Sequence, residues 1–261
     1  MDLGLSGRVA LVCASTGGLG LASARALAAE GAAVAVTGRR GELAESIAAE
    51  IAAAGGRAIG AAADLTAPDA PDALVDRVVR DLGPVDVLVL NGPGPTPGSA
   101  ADFTARDAAA AVDLLLAPHL ALVRRVLPGM RERGWGRIVA VGSSGVEEPL
   151  AGMVASNAGR AALAGYLKTL AGEVAADGVT VNMALPGRIA TDRLTYLDRQ
   201  TAERTGRTED AVRDAARSAI PAGRYGSPAE FGALVAFLSG APAAYITGTA
   251  VRCDGGQGHA L

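Results

Sequence analysis

Ser143, Ser156 and Arg160 are the residues of this chain whose types and spacing suit chemistry at an oxygen atom. Ser156 and Arg160 stand four apart in the stretch from Ala155 to Leu163, ASNAGRAAL, where the flanking apolar pattern predicts a helix. At positions i and i+4 both side chains project from one helical face. Ser143 precedes Ser156 by thirteen residues and follows an apolar run, GRIVAVGSS, that predicts a strand. Two hydroxyls and a guanidinium can polarise a substrate oxygen and stabilise charge that develops on it. A serine hydroxyl is a weak acid, and an arginine with a pKa above about 12 does not relay protons. The trio therefore suits electrostatic stabilisation rather than proton transfer. The alternative is an ordinary helix start carrying a solvated arginine.

A second set of residues suits a phosphorylated ligand. The loop Ala14-Ser15-Thr16-Gly17-Gly18-Leu19-Gly20 follows the first apolar run and opens the helical stretch LASARALAAEG. Its glycines let the backbone turn sharply and approach a pyrophosphate, which the first amides of the helix would favour. Ser15, Thr16, Gly18, Leu19 and Gly20 are the candidate contacts. A dinucleotide site commonly carries an acid after the second strand for a ribose diol, or a base there for a 2′-phosphate. This chain carries Arg39 and Arg40, so NADP(H) is expected over NAD(H). Two solvated loop arginines are the plainer reading. Asp64 and Leu65 close AAADL after the third strand; Asp64 suits an adenine amino group or the cap of the next helix.

The elements that must position these groups follow from periodicity. RVALVCA, AAVAVTG, GRAIGAAAD, VDVLVLN, GRIVAVGSS, GVTVNMALPG and GTAVRCDGG read as strands. They alternate with helix-period segments such as Leu43, Ile47, Ile51 and Leu74, Val75, Val78, Val79, Leu82. The expected fold is α/β, a Rossmann-type doubly wound parallel seven-stranded sheet with helices on both faces. Ligands then bind at the carboxyl ends of the strands, in the loops that carry the unusual sequences. From about 191 to 227 the strict alternation lapses into a segment rich in Arg, Asp, Thr and Glu, expected to be a helical substrate lid within a single domain spanning 1–261.

Composition narrows the function classes. The chain has 261 residues, is 50% hydrophobic and 20% charged, and can bury one sizeable core. Its net charge of −3, with signs interspersed, gives no footprint for a nucleic acid or an anionic membrane, and 3% aromatic residues leave few stacking platforms. No leader pattern opens the chain and no apolar run approaches a membrane span, so a soluble cytoplasmic protein is expected. Cys13 and Cys253 lie in strand-like runs without a CxxC spacing and are expected to be buried reduced thiols, with no metal or redox role.

These motifs together resemble the short-chain dehydrogenase/reductase family, particularly its 3-oxoacyl-carrier-protein-reductase-like members, over nearly the whole chain. The family's glycine motif maps onto Cys13 to Gly20, with Ala14 in place of its first glycine. DVLVLNGPG resembles the strand ending in Asn-Asn-Ala-Gly, so Asn91 and Gly92 are implied beside the adenine ribose. LPGRIAT resembles the loop that holds the nicotinamide, which implies roles for Pro186, Gly187, Ile189 and Thr191. GRYGSPAEFGALVAFLSG and YITGTAVRCDGG resemble the closing helix and strand. Membership implies a nicotinamide cofactor, a small-molecule substrate and a homotetramer or homodimer.

The catalytic tetrad of that family is Asn, Ser, Tyr and Lys, and the chain departs from it. Ser143 keeps the serine; Ser156 occupies the tyrosine position, Arg160 the lysine position and Leu115 the asparagine position. Loss of a general acid removes about 10² to 10⁴ in rate, roughly 3 to 5 kcal/mol of barrier, and a good oxyanion site contributes a comparable amount. The expected activity is NADPH-dependent reduction of a small to medium, mostly apolar carbonyl or conjugated enone, with Arg160 also touching the cofactor. A non-redox enzyme of the same fold, or a silent cofactor-binding subunit, stays open. Substitute groups are Tyr196 on the lid, against plain lid packing; His119, for which a subunit-interface or satisfied core histidine is the plainer reading; and the Leu114 carbonyl freed by Pro118. Glu147 and Glu148 suit a pocket wall or a solvated loop; Tyr166 shares the Leu163, Leu167 and Leu170 stripe and reads as core, while its distance from Lys168 does not match the motif.

Overall fold

The computed structural model describes residues 1–259 of the chain. Seven strands, β1 (Val9–Val12), β2 (Ala33–Gly38), β3 (Arg57–Ala62), β4 (Val87–Leu90), β5 (Gly136–Val141), β6 (Val179–Pro186) and β7 (Ala250–Cys253), form one sheet in the order β3-β2-β1-β4-β5-β6-β7. Every pairing is parallel. The order reverses between β1 and β4, which opens a crevice at their carboxyl ends. The helices are α1 (Gly18–Ala29), α2 (Gly41–Ala53), α3 (Ala70–Asp81), α4 (Ala105–Leu115), α5 (Ala117–Glu132), α6 (Val154–Val174), α7 (Asp192–Thr205), α8 (Glu209–Ser218) and α9 (Pro228–Ser239). The sheet, its parallel pairing and its helices on both sides match the expected Rossmann-type fold.

The continuous apolar strands follow from burial on both faces. In β1, Val9 and Leu11 enter one core with Leu74, Val78, Leu122, Val126 and Leu163, from α3, α5 and α6. Ala10 and Val12 enter the other with Leu27, Ile47, Ile51, Phe231 and Val235, from α1, α2 and α9. Val79 departs from the predicted stripe of α3 and is 44% exposed. No helix among the described residues is long and apolar enough to cross a membrane.

Two features position the site. The stripe Leu163, Leu167, Leu170, Val174 that buries α6 continues toward its N-terminus through Gly159, Arg160 and Ser156, so both polar side chains sit on the buried face, at the sheet's carboxyl edge. Gly159 permits close approach of α4, because a Cβ there would lie 2.7 Å from Leu115 Cδ1. The segment 191–227 holds α7 and α8 and ends at Ser227, the cap of α9, inserted between β6 and β7. A bridge from Ile189 to Gly226 closes its base.

Candidate active site

A cleft of about 1540 Å³ lies along the carboxyl ends of the strands, larger than the pocket of one small ligand. At one end Thr16, Gly18, Leu19, Arg39, Arg40, Asp64, Leu65, Asn91 and Gly92 line it. The α1 N-terminus opens there after Gly17, with no side-chain cap and no acid in its first turn, so its first amides face the cleft without a competing anion. The Arg40 guanidinium donates from Nη2 to the Thr16 carbonyl at 3.1 Å and to Thr16 Oγ1 at 3.3 Å, which holds it over the loop.

Asp64 accepts from the Thr66 hydroxyl at 2.7 Å and the Thr66 amide at 3.2 Å, and these bonds hold its carboxyl below the usual carboxylate range. The cap position of α3 belongs to Asp69, so Asp64 fixes its own turn instead of the next helix. Ser15 and Gly20 stand behind the cleft wall. Ser15 is fully buried; its hydroxyl donates to the Val12 carbonyl at 2.7 Å and accepts from the Thr37 amide at 2.8 Å, tying β1 to β2. A Cβ on Gly20 would lie 2.4 Å from the Ala14 carbonyl oxygen, so glycine there permits the close packing of α1 on the loop. The same Ala14 oxygen accepts from Asn91 Nδ2 at 3.2 Å, which joins β4 to the glycine loop.

At the other end Ser143, Ser156 and Arg160 line the cleft together with Pro186, Gly187, Ile189 and Thr191. Ser143, just past β5, accepts from the Gly145 amide at 3.1 Å. Ser156 is 6% exposed and Arg160 9% exposed, so Arg160 is not a solvated arginine. Its Nη1 donates to the Val141 carbonyl at 2.6 Å. Burial, and then the neighbouring Arg193 charge, lower its pKa to about 10, beneath the value expected of a free arginine and still cationic at neutral pH. Thr191 accepts from the Leu194 amide at 3.3 Å and caps α7.

His119 is a core histidine that also borders the cleft. Its Nδ1 donates to the Leu115 carbonyl at 2.9 Å. Burial outweighs the carbonyls of Leu115 and Asn91 and, with Arg160 nearby, brings its pKa down to about 4, so the ring is neutral near pH 7. Leu115 buries its side chain against Gly159, and Leu114 and Pro118 border the cleft instead.

Several other sequence candidates stand elsewhere. Tyr196 is 42% exposed, carries the Arg193 guanidinium over its ring at 5.4 Å, and does not line the cleft. Glu147 pairs with Arg252, and Glu148 accepts from the His259 amide, which directs both toward the end of the chain. Lys168 donates to the Gly248 carbonyl at 2.7 Å, and Tyr166 is half-buried against the core. Cys13 is buried, its thiol pushed up to about 12 by desolvation, whereas Cys253 is only partly buried, because β7 is the edge strand.

Sequence reasoning missed Arg193 and the Arg188–Asp198–Tyr225 cluster. Arg193 reaches from the first turn of α7 to the Pro95 carbonyl at 2.7 Å. Asp198 is 2% exposed and accepts from Arg188 Nη1 and from the Tyr225 hydroxyl, each at 2.9 Å. An acid nearly two turns into a polar helix was the only signal for the cluster; nothing local marked Arg193.

Comparison with known proteins agrees with this architecture. A family model described as short chain dehydrogenase matches residues 8–202. The 3-oxoacyl-acyl-carrier-protein reductase FabG of Vibrio harveyi is 38% identical over 146 residues, 56% of this chain and 55% of that protein, so the match spans about half the length of that relative. FabG of Aquifex aeolicus is 31% identical across 98% of this chain and 100% of its own. Among solved structures, L-sorbose reductase from Gluconobacter frateurii, complexed with NADPH and L-sorbose, superposes with a TM-score of 0.93 at 30% identity, covering 100% of both chains. The chain belongs to the short-chain dehydrogenase family.

Proposed function

We propose that this protein is an NADPH-dependent reductase of a carbonyl or conjugated enone, in which Ser143, Ser156 and Arg160 polarise the substrate oxygen. One observation carries the reading: a buried guanidinium, still charged near pH 7, lines the same cleft as both serine hydroxyls. The cofactor fits the opposite end. The uncapped α1 N-terminus suits a pyrophosphate, and Arg39 and Arg40, which form no ion pair among the described residues, suit a 2′-phosphate. The reductase relatives and the NADPH-bound neighbour support that assignment. Bound NADPH supplies a hydride to the substrate carbon. Arg160, on the same cleft wall, would hold its charge toward the cofactor ribose and the substrate oxygen, and Pro186, Gly187, Ile189 and Thr191 would frame the nicotinamide. Leu114, Leu150, Met153 and Leu197 give the apolar part of a small to medium substrate its walls.

His119 and Arg160, which line the cleft with Ser156, do not give up a proton readily at neutral pH: His119 is already neutral and Arg160 holds its proton to about pH 10. Substrates whose reduced anion is stabilised by conjugation are therefore preferred, with water as the proton source. The same observation favours, as a second reading, a non-redox enzyme that clamps an enolate in dehydration or isomerisation. The family resemblance alone supports assembly as a homodimer or homotetramer.

Stereospecifically deuterated NADPH, the protein and a panel of ketones, enones and quinones form the test, with mass analysis for deuterium. Deuterium on product carbon is expected; product without deuterium moves the assignment to the second reading. Arg160→Ala is expected to lower kcat by about 10² or more while NADPH still binds, and Arg160→Lys to retain a measurable fraction. Wild-type turnover in the alanine variant would remove Arg160 from the chemistry.

A further inference from the structure

Five arginines border the cleft beyond the Arg188–Asp198 pair, and two of them, Arg160 and Arg193, flank its reaction end. Among the described residues neither forms an ion pair with a carboxylate, in a chain whose other arginines are widely matched to acids. Each is held by a backbone carbonyl, Val141 for Arg160 and Pro95 for Arg193, which leaves most of its five N–H donors uncommitted. The two are near enough for the Arg193 charge to press on Arg160. Gly94 permits that placement, since a Cβ there would lie 3.0 Å from Arg193 Nη2. Asp192, the adjacent acid on the cleft, is exposed at the start of α7 and pairs with neither. Two like charges, one of them nine-tenths buried, are costly without an anion between them.

We propose that the reaction end is a carboxylate subsite, so that the substrate is a carbonyl compound bearing a carboxylate seated between Arg193 and Arg160. The proposal rests on the reading of this cleft as a reductase site and names its substrate class. A guanidinium fork matches the two oxygens of a carboxylate. The buried depth of Arg160 suits that planar group better than a bulkier phosphate. The hydrocarbon of the substrate then meets Leu150, Met153 and Leu197.

The test uses matched probes, 4-oxopentanoate and 4-oxocyclohexanecarboxylate against their methyl esters, titrated calorimetrically into the protein saturated with NADP⁺. The acids are expected to bind at least about tenfold more tightly than the esters. Arg193→Gln is expected to abolish most of that preference, Arg193→Lys to keep part of it, and Gly94→Ala, which makes the guanidinium give by a few tenths of an ångström, to weaken it slightly. Esters that bind as well as the acids, acids that give no heat at millimolar concentration, or a preference that survives in Arg193→Gln would each overturn the subsite. If Arg193→Gln does not fold, Arg193→Lys carries the same comparison, and a preference in it equal to that of the wild type would overturn the guanidinium subsite. Deuterium transfer from NADPH is measured separately. Its failure defeats the reductase reading while calorimetry still decides the subsite, and reduction of esters without preference for acids defeats the subsite alone.

Discussion

Ala14 is the only non-glycine residue with a positive φ, 46°, among the described residues. The left-handed region costs an L-residue roughly 1 to 2 kcal/mol, which explains why the resembling motif carries glycine at this position. Ala14→Gly is expected to relieve the strain, less the greater freedom glycine has in the unfolded chain, for a net stabilisation of up to about 1 kcal/mol. Urea denaturation of the two proteins checks it, and a loss of stability would mean that the methyl group packs favourably enough to outweigh the strain. Residue types and spacing were legible around this loop, but depth was not. Ser15 and Gly20 belong to the same motif as Thr16 and Gly18 yet stand behind the wall, one tying strands together and the other admitting α1. Arg160 shows the same limit, since its i, i+4 relation to Ser156 fixed a common face. Only the leucine stripe that continues through it could have announced burial.

At the scale of elements, the insertion of α7 and α8 was readable from its polar composition, whereas the contacts that hold it were not. Asp198 carries the anchoring: it lies buried on α7 and accepts from Arg188 after β6 and from Tyr225 before α9, so one carboxylate joins both ends of the insertion to its middle. Burial first, and then Asp198, hold the Tyr225 hydroxyl above its ordinary pKa. Asp198→Ala is expected to loosen the insertion by about 1 to 3 kcal/mol, because two donors lose their acceptor. Hydrogen exchange should quicken across residues 192–218 while the central strands stay protected, and KM for the carbonyl substrate should rise more than KM for NADPH. The Tyr225 titration should also move down toward its ordinary range in ultraviolet absorbance. Unchanged exchange across α7 would show that α7–α8 packing alone holds the insertion.

For the whole molecule, the sheet was legible because its strands are buried on both faces, and runs such as Val87–Leu90 have few other places to go. Contacts distant in sequence left no such trace. Glu147 with Arg252 and Glu148 with His259 join a loop to the end of the chain, and no local pattern marks either pairing. His119 is likewise a property of the assembled fold: sequence made it a plausible core residue, and only the packing of α5 on the sheet edge sets its titration. Its pKa falls from 6.5 to about 4 through burial, so between those values the unfolded chain binds a proton that the native protein does not. Lowering the pH through this window therefore favours unfolding. The loss begins below about pH 6.5 and is complete below about pH 4, amounting to roughly 3 kcal/mol from this group alone. His119→Gln removes the titration and keeps a donor for the Leu115 carbonyl. Its unfolding free energy, measured in urea at pH 7 and pH 4.5, should fall less on acidification than that of the wild type, by about 2 to 3 kcal/mol. Equal losses in the two proteins would place the acid sensitivity of the fold elsewhere.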